Sequence, residues 1–230
     1  MRFLVLVLLG LLPGCATFVP PMTVPPSAPA AGISYLALGD SYTIGEGAPE
    51  AGRWPVQLAA MAQAQGLPLA PPTIIARTGW TTAELQDAIR AAHDHRTYGL
   101  VSLLIGVNNQ YRGQSLALYR QEFRALLATA VAFAGGQPRH VVVLSIPDWG
   151  QSPFAAGRDL TQIAQEIDQF NQAAHEECQH ADVAFVDITP LTRAAAGHAS
   201  QFVADGLHYT AGQMQQWATL ALPVVQQQLR

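Results

Sequence analysis

Three side chains from opposite ends of the sequence, Ser41, Asp205 and His208, are of the types that carry out nucleophilic catalysis. A serine hydroxyl is a poor nucleophile until a base takes its proton, and neutral histidine is the side chain best matched to that task near neutral pH. His208 is the candidate base. Asp205, three positions earlier, would accept the other ring N–H, fix the tautomer and stabilise the imidazolium as it forms. Ser41 stands where the apolar run containing Tyr35, Leu36 and Leu38 stops at Gly39 and Asp40. That pattern predicts a buried strand, a tight turn permitted by Gly39, and a helical turn whose free N–H groups point back at the hydroxyl. Each fragment alone has a plainer reading: Gly-Asp-Ser is ordinary turn chemistry, and a loop aspartate commonly caps the helix that follows.

The segments between these ends alternate regularly. Trp54, Leu58 and Met61 recur at helical spacing, with Pro55 in the first turn and Gly66 closing the run. Residues 73–76 read as a strand, Gly79 and Trp80 as its exit loop, and Thr81 with Glu84 as a capping box. Residues 99–106 form a continuous apolar strand that places Asn108 just past its C-terminal end. Leu116, Tyr119, Phe123, Leu127 and Phe133 then stripe a helix. Residues 140–146 are a fourth strand, Leu160 to Ala174 another striped helix, and residues 183–187 a fifth strand. Buried strands alternating with helices imply an α/β fold: a three-layer α/β/α domain on a five-stranded parallel sheet, flavodoxin-like in form. In such sheets ligands gather outside the C-terminal strand ends, where Ser41, Gly79 and Asn108 all fall. Trp80, Trp149 and Phe154 flank loops on that edge and are candidates to line a substrate pocket, although core packing explains each nearly as well.

Taken in order, Gly-Asp-Ser at 39–41, Gly79, Gly-Val-Asn-Asn at 106–109 and Asp-Gly-Leu-His at 205–208 resemble the motif blocks of the SGNH hydrolases, also called the GDSL lipase/esterase superfamily. The resemblance spans residues 33–230. It implies strand order 2-1-3-4-5, an acyl-enzyme mechanism without cofactor or metal, and an oxyanion hole built from the backbone N–H groups of Ser41 and Gly79 and the side-chain amide of Asn108. The third block commonly reads Gly-x-Asn-Asp in the family, whereas Asn109 follows Asn108 here, so the usual carboxylate is missing. No Gly-x-Ser-x-Gly occurs, which disfavours the nucleophile elbow of the α/β-hydrolases. His175, Cys178 and His180 have the composition of a metal cluster but not its spacing, because position 179 is glutamine; Cys178 continues an apolar stripe and reads as a buried free thiol. His93 and His95 read as solvated.

Half of the 230 residues are hydrophobic and 12% are charged, enough for one core without staples. With 12 Lys and Arg against 16 Asp and Glu, nothing marks a nucleic-acid surface. Residues 1–14 carry Arg2 and an apolar run too short for the roughly 20 residues of a membrane span, as expected of an export signal. Leu-Pro-Gly-Cys at 12–15 resembles a bacterial lipobox, which would make Cys15 the lipidated N-terminus; the alternative is an ordinary signal with an incidental cysteine. Residues 15–32 are proline-rich and read as an extended tether, leaving residues 33–230 as the catalytic domain. The expectation is an exported, membrane-anchored serine esterase of the bacterial cell envelope, acting on carboxylester or lysophospholipid-type substrates. O-acetyl groups on envelope carbohydrate are the alternative substrate, and an inactive binding lipoprotein of the same fold is the non-enzymatic alternative.

Overall fold

The computed structural model describes residues 32–229. The export signal at 1–14, Cys15 and the tether as far as Ala31 lie outside the described residues. Along the chain the elements are β1 (Tyr35–Asp40), α1 (Ser41–Ile44), α2 (Trp54–Ala64), β2 (Thr73–Arg77), α3 (Thr82–Ala92), β3 (Leu100–Leu104), α4 (Val107–Tyr111), α5 (Leu116–Phe133), β4 (Val141–Leu144), α6 (Leu160–His180), β5 (Ala184–Val186), α7 (Thr189–Arg193) and α8 (Ala211–Gln228). All five strands are parallel, in the order β2-β1-β3-β4-β5. Every residue of β1 and β3, the inner strands with continuous apolar sequence, is buried, whereas edge strand β2 is half-buried. Leu38 sits opposite Ile75 on one side and Leu103 on the other, so the ends of three strands come level beside Ser41.

Helices cover both faces of the sheet. On one, α2 packs against α8; on the other, α3, α5 and α6 pack in series. Trp54 of α2 and Trp217 of α8 are fully buried, and truncating such a ring to alanine costs about 3–5 kcal/mol. The predicted capping box is present: Thr81 Oγ1 accepts from Glu84 N–H, and the Glu84 carboxylate accepts from Thr81 N–H at 2.8 Å. No helix among the described residues is long and apolar enough to cross a membrane.

Three local expectations change. Gly39 makes no turn; β1 runs through it, and glycine is needed because a Cβ there would collide with Thr43 Oγ1 and the Leu104 carbonyl. β4 ends at Leu144, where the Ser145 N–H still bonds the Val186 carbonyl at 3.0 Å while the Ser145 hydroxyl takes the N–H groups of Ile188 at 2.8 Å and Thr189 at 3.1 Å, at the start of α7. Val183 stays out of β5 because its N–H still bonds the Cys178 carbonyl at 2.9 Å, closing α6 after Asp182 takes φ 56°.

Candidate active site

Asp40 is the last residue of β1 and the N-cap of α1, where its Oδ1 accepts Tyr42 N–H at 3.0 Å. This holds Ser41 in the first turn, 5% exposed, facing a cavity at the C-terminal edge of the sheet. Asp40 is wholly buried, and burial pushes its carboxyl up to about 7 against the backbone N–H groups of Tyr42 and of Asp40 itself, which favour its charged form.

His208 and Asp205 come from the loop before α8. Asp205 Oδ1 accepts the N–H groups of Leu207 at 2.8 Å and His208 at 2.9 Å, which folds the turn; Oδ2 stands 2.6 Å from His208 Nδ1. A carboxylate there assigns the ring proton to Nδ1 and leaves Nε2 free to accept. Partial burial pushes the Asp205 carboxyl up, but hydrogen bonds from the His208 ring and from both backbone N–H groups outweigh it and hold the group below the usual carboxylate range. The Tyr42 ring lies 5.5 Å from the imidazole, so the residue after Ser41 backs the base. Thr210, not Asp205, is the N-cap of α8, which leaves the aspartate's oxygens to the loop and the histidine.

Gly79 lies just beyond β2 at φ 84°, a conformation costly for any residue with a Cβ. Asn108, in α4, donates from Nδ2 to the Trp80 carbonyl at 3.0 Å and approaches Asp40 Oδ2 at 3.5 Å. The first bond occupies one amide hydrogen; the second contact is long, leaving that hydrogen weakly held. Ser41, Gly79, Asn108 and His208 together line a cavity of about 170 Å³. Apart from Thr78, its remaining wall is apolar and aromatic, with Tyr42, Val107, Tyr111, Trp149, Phe154 and Leu207 contributing. Trp149 is locked by its indole N–H, which donates to Gln110 Oε1 at 2.7 Å, while Gln110 Nε2 donates to Glu166 at 2.6 Å. Trp80, offered by the sequence as a pocket residue together with Trp149 and Phe154, does not line the cavity; its carbonyl rather than its ring serves the site, by taking the Asn108 amide. Tyr42 and Tyr111 were not singled out from sequence, although Tyr111 stands three residues after Asn108, a spacing that shares a helix face.

The His-Cys-His segment is elsewhere. His175 stacks on Phe185 at 4.9 Å, and Cys178 is buried, its thiol pushed up to about 12 by desolvation. Among the described residues no three side chains are grouped to hold a metal ion.

A parallel α/β sheet that brings a serine, an asparagine and a histidine backed by a carboxylate to one cavity is the arrangement expected of a serine hydrolase. The family model of the GDSL-like lipases and acylhydrolases matches residues 37–215, and the chain belongs to that family. It is a serine ester hydrolase. Among solved structures, TesA is similar at 18% identity and TM-score 0.67, with 85% of this chain and 99% of that one covered. A lipase/acylhydrolase from Enterococcus faecalis is 20% identical with TM-score 0.63, covering 86% and 97%. The acetylxylan esterase Axe2 from Geobacillus stearothermophilus is 17% identical with TM-score 0.65, covering 85% and 94%. At these identities the likeness concerns the fold. No curated protein sequence matches the chain significantly.

Proposed function

We propose that the protein hydrolyses short-chain carboxylic esters through an acyl-enzyme on Ser41. His208 Nε2 takes the hydroxyl proton as Oγ attacks the ester carbonyl, and then gives it to the departing alcohol. Asp205 keeps the imidazole in the required tautomer. The tetrahedral oxyanion is received by the N–H groups of Ser41 and Gly79 and by the less engaged hydrogen of Asn108 Nδ2. Water, activated by the same histidine, then releases the acid. The observation that carries this reading is the Asp205–His208 pair at 2.6 Å, whose histidine opens on the same apolar cavity as Ser41.

Cavity size bears on the substrate. About 170 Å³ is close to the ~150 Å³ that accommodates a benzene molecule, room for an acyl group of a few carbons, and because the cavity is open to solvent a longer chain would extend out of it. That same size favours a second reading, removal of O-acetyl groups from envelope carbohydrate, and the structural likeness to an acetylxylan esterase is consistent with it. Lysophospholipid-type substrates would leave most of their chain outside. For location, the apolar signal at 1–14 and Cys15 support export and lipid anchoring in the cell envelope.

The test is a profile of the full-length protein on aryl esters of increasing acyl length alongside acetylated sugars. Activity is expected to be highest for acyl groups of a few carbons, with Ser41→Ala inactive and unchanged in thermal unfolding. Retained turnover in Ser41→Ala defeats the mechanism, and complete inertness of the wild type favours a binding protein of the same fold.

A further inference from the structure

Asn109 stands where the family usually has aspartate, and it is completely buried. Its surroundings show what replaces the carboxylate. Thr82 N–H, which can only donate, points at Asn109 Oδ1 from 3.1 Å, and this fixes the amide's orientation. Nδ2 therefore faces the other way, donating to Thr82 Oγ1 at 2.6 Å and to Gln114 Oε1. The Thr82 hydroxyl donates to Glu122 of α5, and Gln114 Nε2 stands 3.2 Å from both oxygens of the same carboxylate. The ring Asn109–Thr82–Glu122–Gln114 closes with each of these donors aimed at an acceptor, and its one carboxyl group is that of Glu122.

The ring holds the loop that carries Gly79. Arg112 Nη2 donates to the Gly79 carbonyl, Asn108 Nδ2 to the Trp80 carbonyl, and Thr82 N–H is taken by Asn109. Three residues of the short α4 and its C-cap thus grip backbone groups of residues 79–82, and two of them are the paired asparagines.

We propose that Asn109 and Glu122 are positioning residues for the oxyanion loop, with the carboxylate that the family carries after its donor asparagine moved here onto α5 and an amide needed at 109 to complement it. The proposal rests on the reading that Gly79 and Asn108 stabilise the oxyanion. Neither residue lines the cavity, so both act through the placement of Gly79 and Asn108. Restoring the family's residue in this chain is therefore harmful: Asn109→Asp puts an oxygen where Nδ2 now stands, against Gln114 Oε1 and 3.5 Å from Glu122 Oε2. Two carboxylates would face one another, and Thr82 would have to choose between them. Glu122→Gln in the same chain returns the ring to one carboxylate and one complementary amide, with their positions exchanged.

The test measures kcat and KM on a short aryl ester for the full-length wild type, Asn109→Asp, Glu122→Gln, the double variant and Ser41→Ala, with backbone amide exchange over residues 79–82. Asn109→Asp is expected to lower kcat by about 10–100-fold with KM within about twofold, and to speed exchange in that segment. The double variant is expected to regain kcat to within roughly threefold of wild type, which a generic loss of packing would not do. If Asn109→Asp does not fold, Glu122→Gln alone carries the test, with a drop of about fivefold in kcat expected from the weakened hold on Thr82. Unchanged kcat in Asn109→Asp, or in Glu122→Gln where that variant stands alone, overturns the proposal, as does a double variant no better than Asn109→Asp or a loss wholly in KM. Ser41→Ala separates the two levels. If it is inactive while the ring variants behave as wild type, only the positioning pair falls; if it turns over substrate, the reading of the site falls instead.

Discussion

Asp40 carries a cost that Asp40→Asn should make measurable. Burial moves its carboxyl from the ordinary aspartate value of 3.8 up to about 7, so between those values the folded chain holds a proton that the unfolded chain has released. Its folded value is raised, so the stability linked to it is fully present below pH 3.8 and is lost as pH rises through about 7. At about 1.4 kcal/mol per unit, a shift of about 3 units makes the loss about 4 kcal/mol. Asparagine keeps the oxygen that accepts Tyr42 N–H but cannot ionise. The 2 units between pH 5 and about 7 carry about 3 kcal/mol of that loss, so between pH 5 and pH 9 the melting temperature of Asp40→Asn should gain roughly 6–12 °C on that of wild type, given about 2–4 °C per kcal/mol for a domain of this size. Scanning calorimetry of both proteins at one-unit intervals from pH 5 to 9 isolates the effect, because every other titrating group is common to the pair. A difference in melting temperature that stays constant across that range would refute the reasoning and mean that Asp40 titrates in the folded protein as it does in the unfolded chain.

Replacing Asp205 by asparagine removes the carboxylate that assigns the proton to His208 Nδ1, and kcat is expected to fall about 10⁴-fold in steady-state assays with the unfolding midpoint little changed. Because that carboxyl is held below its usual range, its contribution to stability is present above the ordinary aspartate value and is lost as pH falls through the lower folded value; a comparison of acid unfolding curves should show the variant losing less stability on acidification. Asn108→Ala should lower kcat by about 10²–10³-fold with KM nearly unchanged, and Asn108→Asp should be at least as poor, since an acceptor replaces a donor; an active Asn108→Asp enzyme would remove this residue from the catalytic set. Cys15→Ala should move the protein from the membrane to the soluble fraction, and a metabolic fatty-acid probe should label the wild type alone.

The sheet was legible because β1, β3 and β4 are covered on both faces, which demands uninterrupted apolar runs that no amphipathic helix shares. Strand ends were less so: just past β4 the Ser145 hydroxyl bonds residues over forty positions away, and no local pattern announces them. In the site, Ser41, Gly79 and Asn108 could be placed on one edge by counting strands, but the orientation of a ring could not. Trp80 thus looked like a pocket residue on position alone, while its carbonyl is the part that meets Asn108. The partners of Asn109 escaped notice for a different reason. Positions 82, 109, 114 and 122 share no period, and only the packing of α3 against α5 brings them together.

The proposed nucleophile Ser41 stands just past the end of the first strand of the domain, a strand inside the sheet, while its proposed base His208 lies on the last loop before the final helix. No contiguous stretch of the chain holds the active site. A chain still being synthesised has its serine long before it has a base, so catalysis begins only after nearly the whole domain has been made and α8 has settled against α2. Loss of the C-terminal quarter to a protease would likewise leave an intact serine with nothing to deprotonate it. Two fragments divided at the loop around Gly135 and Gly136 would each be silent and would hydrolyse ester only by rejoining. On the proposed mechanism, turnover is therefore also a report on assembly: each event requires that the segment around Ser41 and the loop around His208 have met.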